Sequence, residues 1–256
     1  MMTVPLVELS IQEKRFHDRR VLAEMAFDVR RGEIVSLVGP SGCGKSTLLR
    51  IVAGLDTAFR GEVRVLGGRP RLGSAQVGLI FQEPRLLPWL TVAENVGFVL
   101  GRKGRTHPLV GDLLSEVGLA DYADAYPKQL SGGMAQRAAI ARGLCTRPSL
   151  LLLDEPFSAV DAFTRMRLQD LLLDVASRHE TTLLLITHDI GEAVYLSDRI
   201  LVLSGRPGRL CGEVSIGSPQ PRERHGLEAA RREAQVLHLL NDENGVVEQR
   251  AVVNGR

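Results

Sequence analysis

Lysine is nearly absent from this chain of 256 residues: Lys14, Lys45, Lys103 and Lys128 are all there is, and arginine supplies the rest of the 32 basic side chains. Cysteine is as sparse. Cys43, Cys145 and Cys211 make three, an odd number that argues against a disulfide framework and for a reducing compartment. Neither sign of charge dominates, and a formal charge of +2 makes no electrostatic case for nucleic acid as the main partner. No apolar run approaches the ~20 residues that a membrane-spanning helix needs. The start, Met1-Met2-Thr3-Val4-Pro5, has neither the basic nor the apolar region of an export signal. The expectation is a cytoplasmic protein that reaches any membrane through a partner. What is present is ordinary globular composition, 44% hydrophobic and 24% charged, with length enough for one large domain or two modest ones.

One of the four lysines sits in Gly39-Pro40-Ser41-Gly42-Cys43-Gly44-Lys45-Ser46-Thr47, which fits G-x-x-x-x-G-K-[ST], the loop that wraps nucleotide phosphates. An apolar run over 34–38 precedes it, as a buried parallel strand would, and residues 47–52 carry apolar side chains at helical spacing. A glycine-rich turn from strand to helix aims successive N–H groups and the helix dipole at one point, where a polyphosphate fits. Lys45 would reach the β- and γ-phosphates and the Ser46 hydroxyl would complete a Mg²⁺ shell.

Elsewhere Val7, Leu9 and Ile11 alternate with polar residues as in a half-buried strand. Phe16 lies just beyond, ahead of a second strand near 21–29. It reads either as a core side chain or as a stacking platform for a purine. Further strands are expected over 62–66 and 77–81, the latter ending on Gln82. The texture then changes. Residues 83–90 form a proline-bounded segment with the only tryptophan, Trp89, and three leucines. Leu86, Leu87 and Trp89 are either an exposed docking patch or part of a loop folded into the core. Thr91 and Glu94 read as a capping box, and helices follow over 108–117, 121–126 and 132–144. The second ends at Pro127 and the third opens on Ser131 as N-cap. Two glycines, Gly132 and Gly133, at the first helical positions offer bare N–H groups to a bulky anion.

Leu150 to Leu153 is a buried strand running into Asp154-Glu155, carboxylates at the strand edge where open α/β sheets bind ligands. Asp154 suits Mg²⁺, directly or through a water. Glu155 suits general-base or water-orienting work on a γ-phosphate. A helix over 162–177 and a second buried strand over 182–186 lead to His188, on the same edge. Residues 217–256 hold a proline-bounded linker, a charged helix over about 223–240 and a polar tail, too short for a regulatory domain.

In order, GPSGCGKST, Gln82, LSGGMAQR (130–137), LLLLDEP (150–156), Ser158-Ala159-Val160-Asp161 and His188 resemble the ATP-binding subunit of an ABC transporter, over roughly residues 5–215. Val160, where many members carry leucine, is a conservative departure. The resemblance implies an α/β fold: a P-loop NTPase core with a mainly helical subdomain inserted, about 84–148, and a small antiparallel β portion. The ATP-binding domain would be 1–216, followed by the linker, helix and tail of 217–256. It implies an ATP hydrolase coupled to transport, with ATP and Mg²⁺. Phe16 would stack on adenine, residues 39–47 hold the phosphates, and Ser46, Gln82 and Asp154 hold the metal. Glu155, His188 and Gln82 would be catalytic. Ser131, Gly132, Gly133 and Gln136 would meet the nucleotide of a second, head-to-tail copy, with Asp161 in the loop joining the two sites. The other implied partners are transmembrane permease subunits and, indirectly, an exported solute-binding protein. The subunit would then sit at the cytoplasmic face of the inner membrane as a peripheral protein.

Residues 81–89, with Met134 in the LSGGMAQR segment, look like the importer branch for nitrate, taurine and aliphatic sulfonates, and aliphatic sulfonate import is the closest likeness within it. Taurine or nitrate would give the same role. A soluble ABC ATPase acting on nucleic acid would carry tandem cassettes, long coiled-coil insertions or zinc modules, none of which is seen. A P-loop kinase or GTPase leaves LSGGMAQR unexplained.

Overall fold

The computed structural model describes residues 4–71 and 73–253. Strands β1 (Val7–Phe16), β2 (Arg19–Val29) and β3 (Ile34–Val38) lead to helix α1 (Lys45–Val52) and strand β4 (Phe59–Val65). Next come β5 (Val77–Ile80), α2 (Val92–Val96), α3 (Pro108–Glu116), α4 (Gly132–Leu144), β6 (Leu150–Asp154) and α5 (Ala162–Arg178). The last elements are β7 (Thr182–Thr187), α6 (Ile190–Leu196), β8 (Arg199–Ser204), β9 (Arg209–Ser215) and α7 (Leu227–Val253). The chain divides into two units, residues 1–72 with 184–256, and Gly73–Leu183. Among the described residues no helix is long and apolar enough to cross a membrane.

The first unit holds a small antiparallel sheet of order β2-β1-β4. Val7, Leu9 and Ile11 are buried as the alternation predicts. Phe16 is the last residue of β1 rather than a residue beyond it, because β1 stays paired with β2 as far as Phe16 and Arg19. The same unit contains a second sheet in which the end of β7 neighbours β3, followed by β8 and β9. Here β3 is parallel to β8, and β8 is antiparallel to β9. All five residues of β3 are buried, the polar Ser36 included. A strand covered on both faces has no reason to alternate, which is why its sequence is a continuous apolar run. Ser36 satisfies its hydroxyl against Ser197. Val38, Ala193, Ile200, Val202, Val214 and Val236 form a core beneath α6 and α7.

Helix α7 begins at Leu227 and runs to Val253, where the sequence suggested a helix over about 223–240 and then a polar tail. No proline follows Pro221 in the sequence to stop it. The linker before α7 is fastened by Arg222, whose side chain is 5% exposed. It donates to Asp198 Oδ1 at 3.0 Å, Tyr195 O at 3.0 Å and, from Nε, Ser218 O at 2.9 Å. Burial pulls the guanidinium pKa down, opposed by the Asp198 charge.

In the second unit β5 and β6 are parallel, in register from Val77 and Leu150 to Ile80 and Leu153. The start of β7 adjoins them through Thr182 N–H to Ser149 O at 3.0 Å. The capping box forms: Thr91 Oγ1 accepts from Glu94 N at 3.3 Å, and the Glu94 carboxylate accepts from Thr91 N at 2.8 Å. Hydrogen bonding to the carboxylate by Thr91, first through its backbone N–H, holds the Glu94 pKa below the usual carboxylate range. The short helix expected over 121–126 is instead a pair of 3₁₀ turns, Ala120–Tyr122 and Pro127–Gln129. Pro127 therefore opens a turn rather than closing a helix, since its fixed φ and missing N–H suit a first helical position. A 3₁₀ stretch over Phe98–Thr106, broken at Gly101, shows no periodicity that the sequence could have disclosed.

Replacing Asp198 by alanine removes the acceptor of both the Ile34 N–H, at 3.0 Å, and buried Arg222. Asp198 is itself 42% exposed, so water takes over part of its role. The expected loss is roughly 1–3 kcal/mol, to be read from the urea unfolding midpoint; an unmoved midpoint would show the network to be idle.

Candidate functional site

In the first unit the loop of residues 39–47 joins β3 to α1. Gly42 and Gly44 have φ of +81° and +98°, the left-handed region that lets the chain reverse tightly at a helix start. The N–H groups at the head of α1 and its dipole make this an anion-receiving turn. Lys45 is buried at 6% exposure, and its Nζ donates to Gly39 O at 2.6 Å and Pro40 O at 3.1 Å. A cation is thus held beside the N–H donors by the loop itself, the chemistry a polyphosphate requires. Ser46 and Thr47 are half-buried on α1. Cys43 is buried, and desolvation pushes its thiol pKa up, so it is a packing group rather than a nucleophile.

Two supports of this loop escaped the sequence. Arg206 Nη2 donates to Ser41 O at 2.9 Å. Gly208 lies so close that a Cβ there would stand 1.8 Å from Cys43 O. It also bonds β2 on both sides, accepting from Ala23 N at 3.0 Å and donating to Val21 O at 2.8 Å. No motif or spacing connects residues 206 and 208 with residues 41–43, so no sequence signal existed to find them.

His188 is exposed just past β7, the neighbour of β3. The turn that carries it is fastened by Asp189 N–H to Thr187 Oγ1, and Asp189 in turn caps α6 through Glu192 N, each at 3.0 Å. Phe16 is 44% exposed, which removes the core alternative. The Lys14 ammonium lies 4.4 Å from its ring centroid, and Lys14 is itself buried against Asp56 Oδ1 at 2.6 Å and Ala58 O at 2.9 Å. The exposed ring is therefore held beside a cation.

In the second unit Gln82 and Glu155 each lie two residues beyond the registered pair Ile80 and Leu153. Because β5 and β6 are parallel, Gln82, Asp154 and Glu155 share one strand edge. Glu155 has φ +46°, a left-handed conformation that a residue with a side chain adopts at a cost of about 1–2 kcal/mol. Ser158 stabilises the turn, donating N–H at 3.3 Å and Oγ at 3.0 Å to Glu155 O.

Ser131 caps α4, accepting from Met134 N at 3.3 Å. Ser131 and Gly132 are exposed, whereas Gln136 is 2% exposed, its Nε2 without a partner among the described residues. Gly133 has a reason beyond its bare N–H: a Cβ there would stand 2.4 Å from Thr164 Cγ2. Thr164 also donates its N–H to the Asp161 carboxylate at 3.0 Å, capping α5. Bonding by Thr164 holds the Asp161 pKa below the usual carboxylate range. Thr164 thus links Gly133 and Asp161, a role the sequence did not reveal. Trp89 is 69% exposed and Leu86 and Leu87 are half-buried, so the tryptophan is a surface group and the leucines are only partly so.

Gly208→Ala forces Cys43 O to move and should destabilise the fold by about 1–3 kcal/mol, as overpacking does, and weaken nucleotide binding with it. Gly67→Ala, where no atom lies within 4 Å although φ is +75°, should leave nucleotide binding unchanged. Urea unfolding and nucleotide titration of both variants check the pair, and equal affinities would dismiss Gly208 as a support.

Comparison with known proteins adds four findings. The family model described as ABC transporter matches residues 22–158. The aliphatic sulfonates import ATP-binding protein SsuB 2 of Burkholderia cenocepacia is 58% identical over 91% of this chain and 86% of its own length. SsuB 1 of Pseudomonas savastanoi pv. phaseolicola is 55% identical over 92% and 96%. Among solved structures, a dimeric ATP-binding cassette in a post-hydrolysis state bound to ADP and Pi superposes with a TM-score of 0.71. It is 31% identical, over 83% of this chain and 99% of that one.

Proposed function

This chain belongs to the ABC transporter family, and we propose that it is the ATP-hydrolysing subunit of a membrane importer whose cargo is an aliphatic sulfonate. The observation that carries the ATPase assignment is the loop of residues 39–47, with its buried lysine held by the Gly39 and Pro40 carbonyls. The cargo rests on the likeness to the two sulfonate-import subunits, since no residue of this chain has a physical reason to meet the solute. Taurine and nitrate are the neighbouring alternatives.

Bound Mg-ATP supplies the phosphoanhydride bond that is broken. Lys45 and the N–H groups of residues 39–47 take up the negative charge of the β- and γ-phosphates. Ser46, Asp154 and Gln82 would hold Mg²⁺, which would neutralise phosphate charge. Glu155, fixed in its left-handed turn, orients the attacking water and accepts its proton. His188 hydrogen-bonds to the γ-phosphate, and Phe16 offers its ring to adenine. Ser131, Gly132 and Gly133 at the head of α4 serve the nucleotide held by a second, head-to-tail copy, with Gln136 behind them and Asp161 joining the two sites. Residues 1–216 are the ATP-binding domain, about 84–148 its helical subdomain and 217–256 the C-terminal linker, helix and tail. Exposed Trp89 faces the permease, at the cytoplasmic side of the inner membrane, and an exported solute-binding protein delivers the cargo.

Glu155→Gln should lower turnover by about 10²–10⁴-fold, the usual worth of a general base, and leave Mg-ATP affinity within about twofold. Phosphate release and equilibrium dialysis measure the two, and near-normal turnover would move the base elsewhere. For the cargo, the chain is reconstituted in vesicles with its adjacent permease, and ATP turnover is followed with the binding protein loaded in turn with ethanesulfonate, taurine and nitrate. The sulfonate should stimulate most. A stronger response to either other solute reassigns the cargo, and stimulation by nucleic acid without a permease would overturn the importer.

A further inference from the structure

Two side chains outside the proposed catalytic set, half-buried Arg142 and buried Asn95, converge on one short segment of the second unit. Arg142, in the last turn of α4, donates Nη1 to Arg85 O and Nη2 to Pro84 O, both at 2.7 Å. Asn95, on α2, is 0% exposed and commits its whole amide. Its Oδ1 accepts from Leu87 N at 2.7 Å, and its Nδ2 donates to Leu87 O at 3.1 Å and to Leu90 O and Thr91 O at 3.0 Å. Between these anchors Arg85 has φ +46°, and its guanidinium lies 4.2 Å from the centroid of the Phe81 ring. The stretch that begins beside Gln82 and ends at Trp89 is therefore fixed at one end by α4 and at the other by α2.

Packing alone does not call for this arrangement. A guanidinium drawn out of water is costly, and an apolar side chain of similar volume fills space at least as well. What a guanidinium adds is a planar fork that fixes two consecutive carbonyls in distance and in orientation. A lysine ammonium at the same place can bond a carbonyl but cannot hold the plane. The helix that carries the fork is the one headed by Ser131.

We infer that Arg142 is a positioning residue that ties α4 to the segment carrying Trp89, so that a displacement of α4 is delivered at Trp89, with Asn95 as the second anchor. The purpose of such a link, moving a permease when nucleotide engages the head of α4, rests on the importer assignment above; the link itself does not.

Trp89 is the only tryptophan in the chain, so its emission reports this segment alone. The full-length Glu155→Gln chain is titrated with Mg-ATP while Trp89 emission and molar mass in solution are recorded together. Formation of the dimer should be accompanied by a change in emission. Adding Arg142→Lys should preserve the dimer and shrink the emission change about threefold or more, within the range by which coupling residues act. Asn95→Ser should do the same. A full emission change in Arg142→Lys overturns the inference, as does a dimer in the parent chain with silent Trp89. If Arg142→Lys does not fold by circular dichroism, Arg142→Gln replaces it, and failure of both makes Arg142 a packing residue and overturns the inference too. The importer assignment fails on a different observation, the absence of a co-purifying permease, which leaves the fluorescence comparison standing.

Discussion

A buried ammonium needs acceptors in place of the water it has lost, and Lys45 finds them in the Gly39 and Pro40 carbonyls. Much of the first unit's local architecture serves that one requirement. For those carbonyls to meet the lysine, the chain must reverse within a few residues, through left-handed backbone at Gly42 and Gly44. A turn so tight leaves no room for side chains behind it. A Cβ on Gly39 would stand 2.3 Å from Leu203 O, so the loop is backed by β8 directly, and by Gly208 at the start of the β9 hairpin.

The second unit places its chemistry by strain instead. Arg85 and Glu155 both hold left-handed backbone without being glycine, the first a few residues past β5 and the second directly after its partner β6. Each is held by identifiable bonds: Arg142 on the Arg85 carbonyl and Ser158 on that of Glu155. Local preference gives way where a carboxylate or a loop must be presented in one orientation.

This division explains what was legible in the sequence. The runs that became β3 and β6, the capping box at Thr91, the N-cap at Ser131 and the phosphate loop all encode their structure within a few residues of themselves. The remote contacts do not. Nothing in the order of residues says that Gly208 will meet Cys43, that Gly133 will meet Thr164, or that Arg142 will reach Pro84 and Arg85. Each joins atoms brought together only when elements pack. Phe16 is the intermediate case, left between core and platform by its neighbours in sequence and taken out of the core by its exposure. The 3₁₀ stretches after Val96 and around Ala120 and Pro127 lack a period and were illegible for that reason.

Of the four lysines, Lys14 and Lys45 are buried and fully engaged, whereas Lys103 and Lys128 are exposed. Both exposed ones lie in the second unit. Reagents that seek side-chain amines, whether cross-linkers, biotin esters or acetyl donors, will therefore mark lysines in that unit alone. The amine that matters to the phosphate loop is shielded by the loop's own carbonyls, so tethering this protein through its lysines leaves the loop chemically untouched.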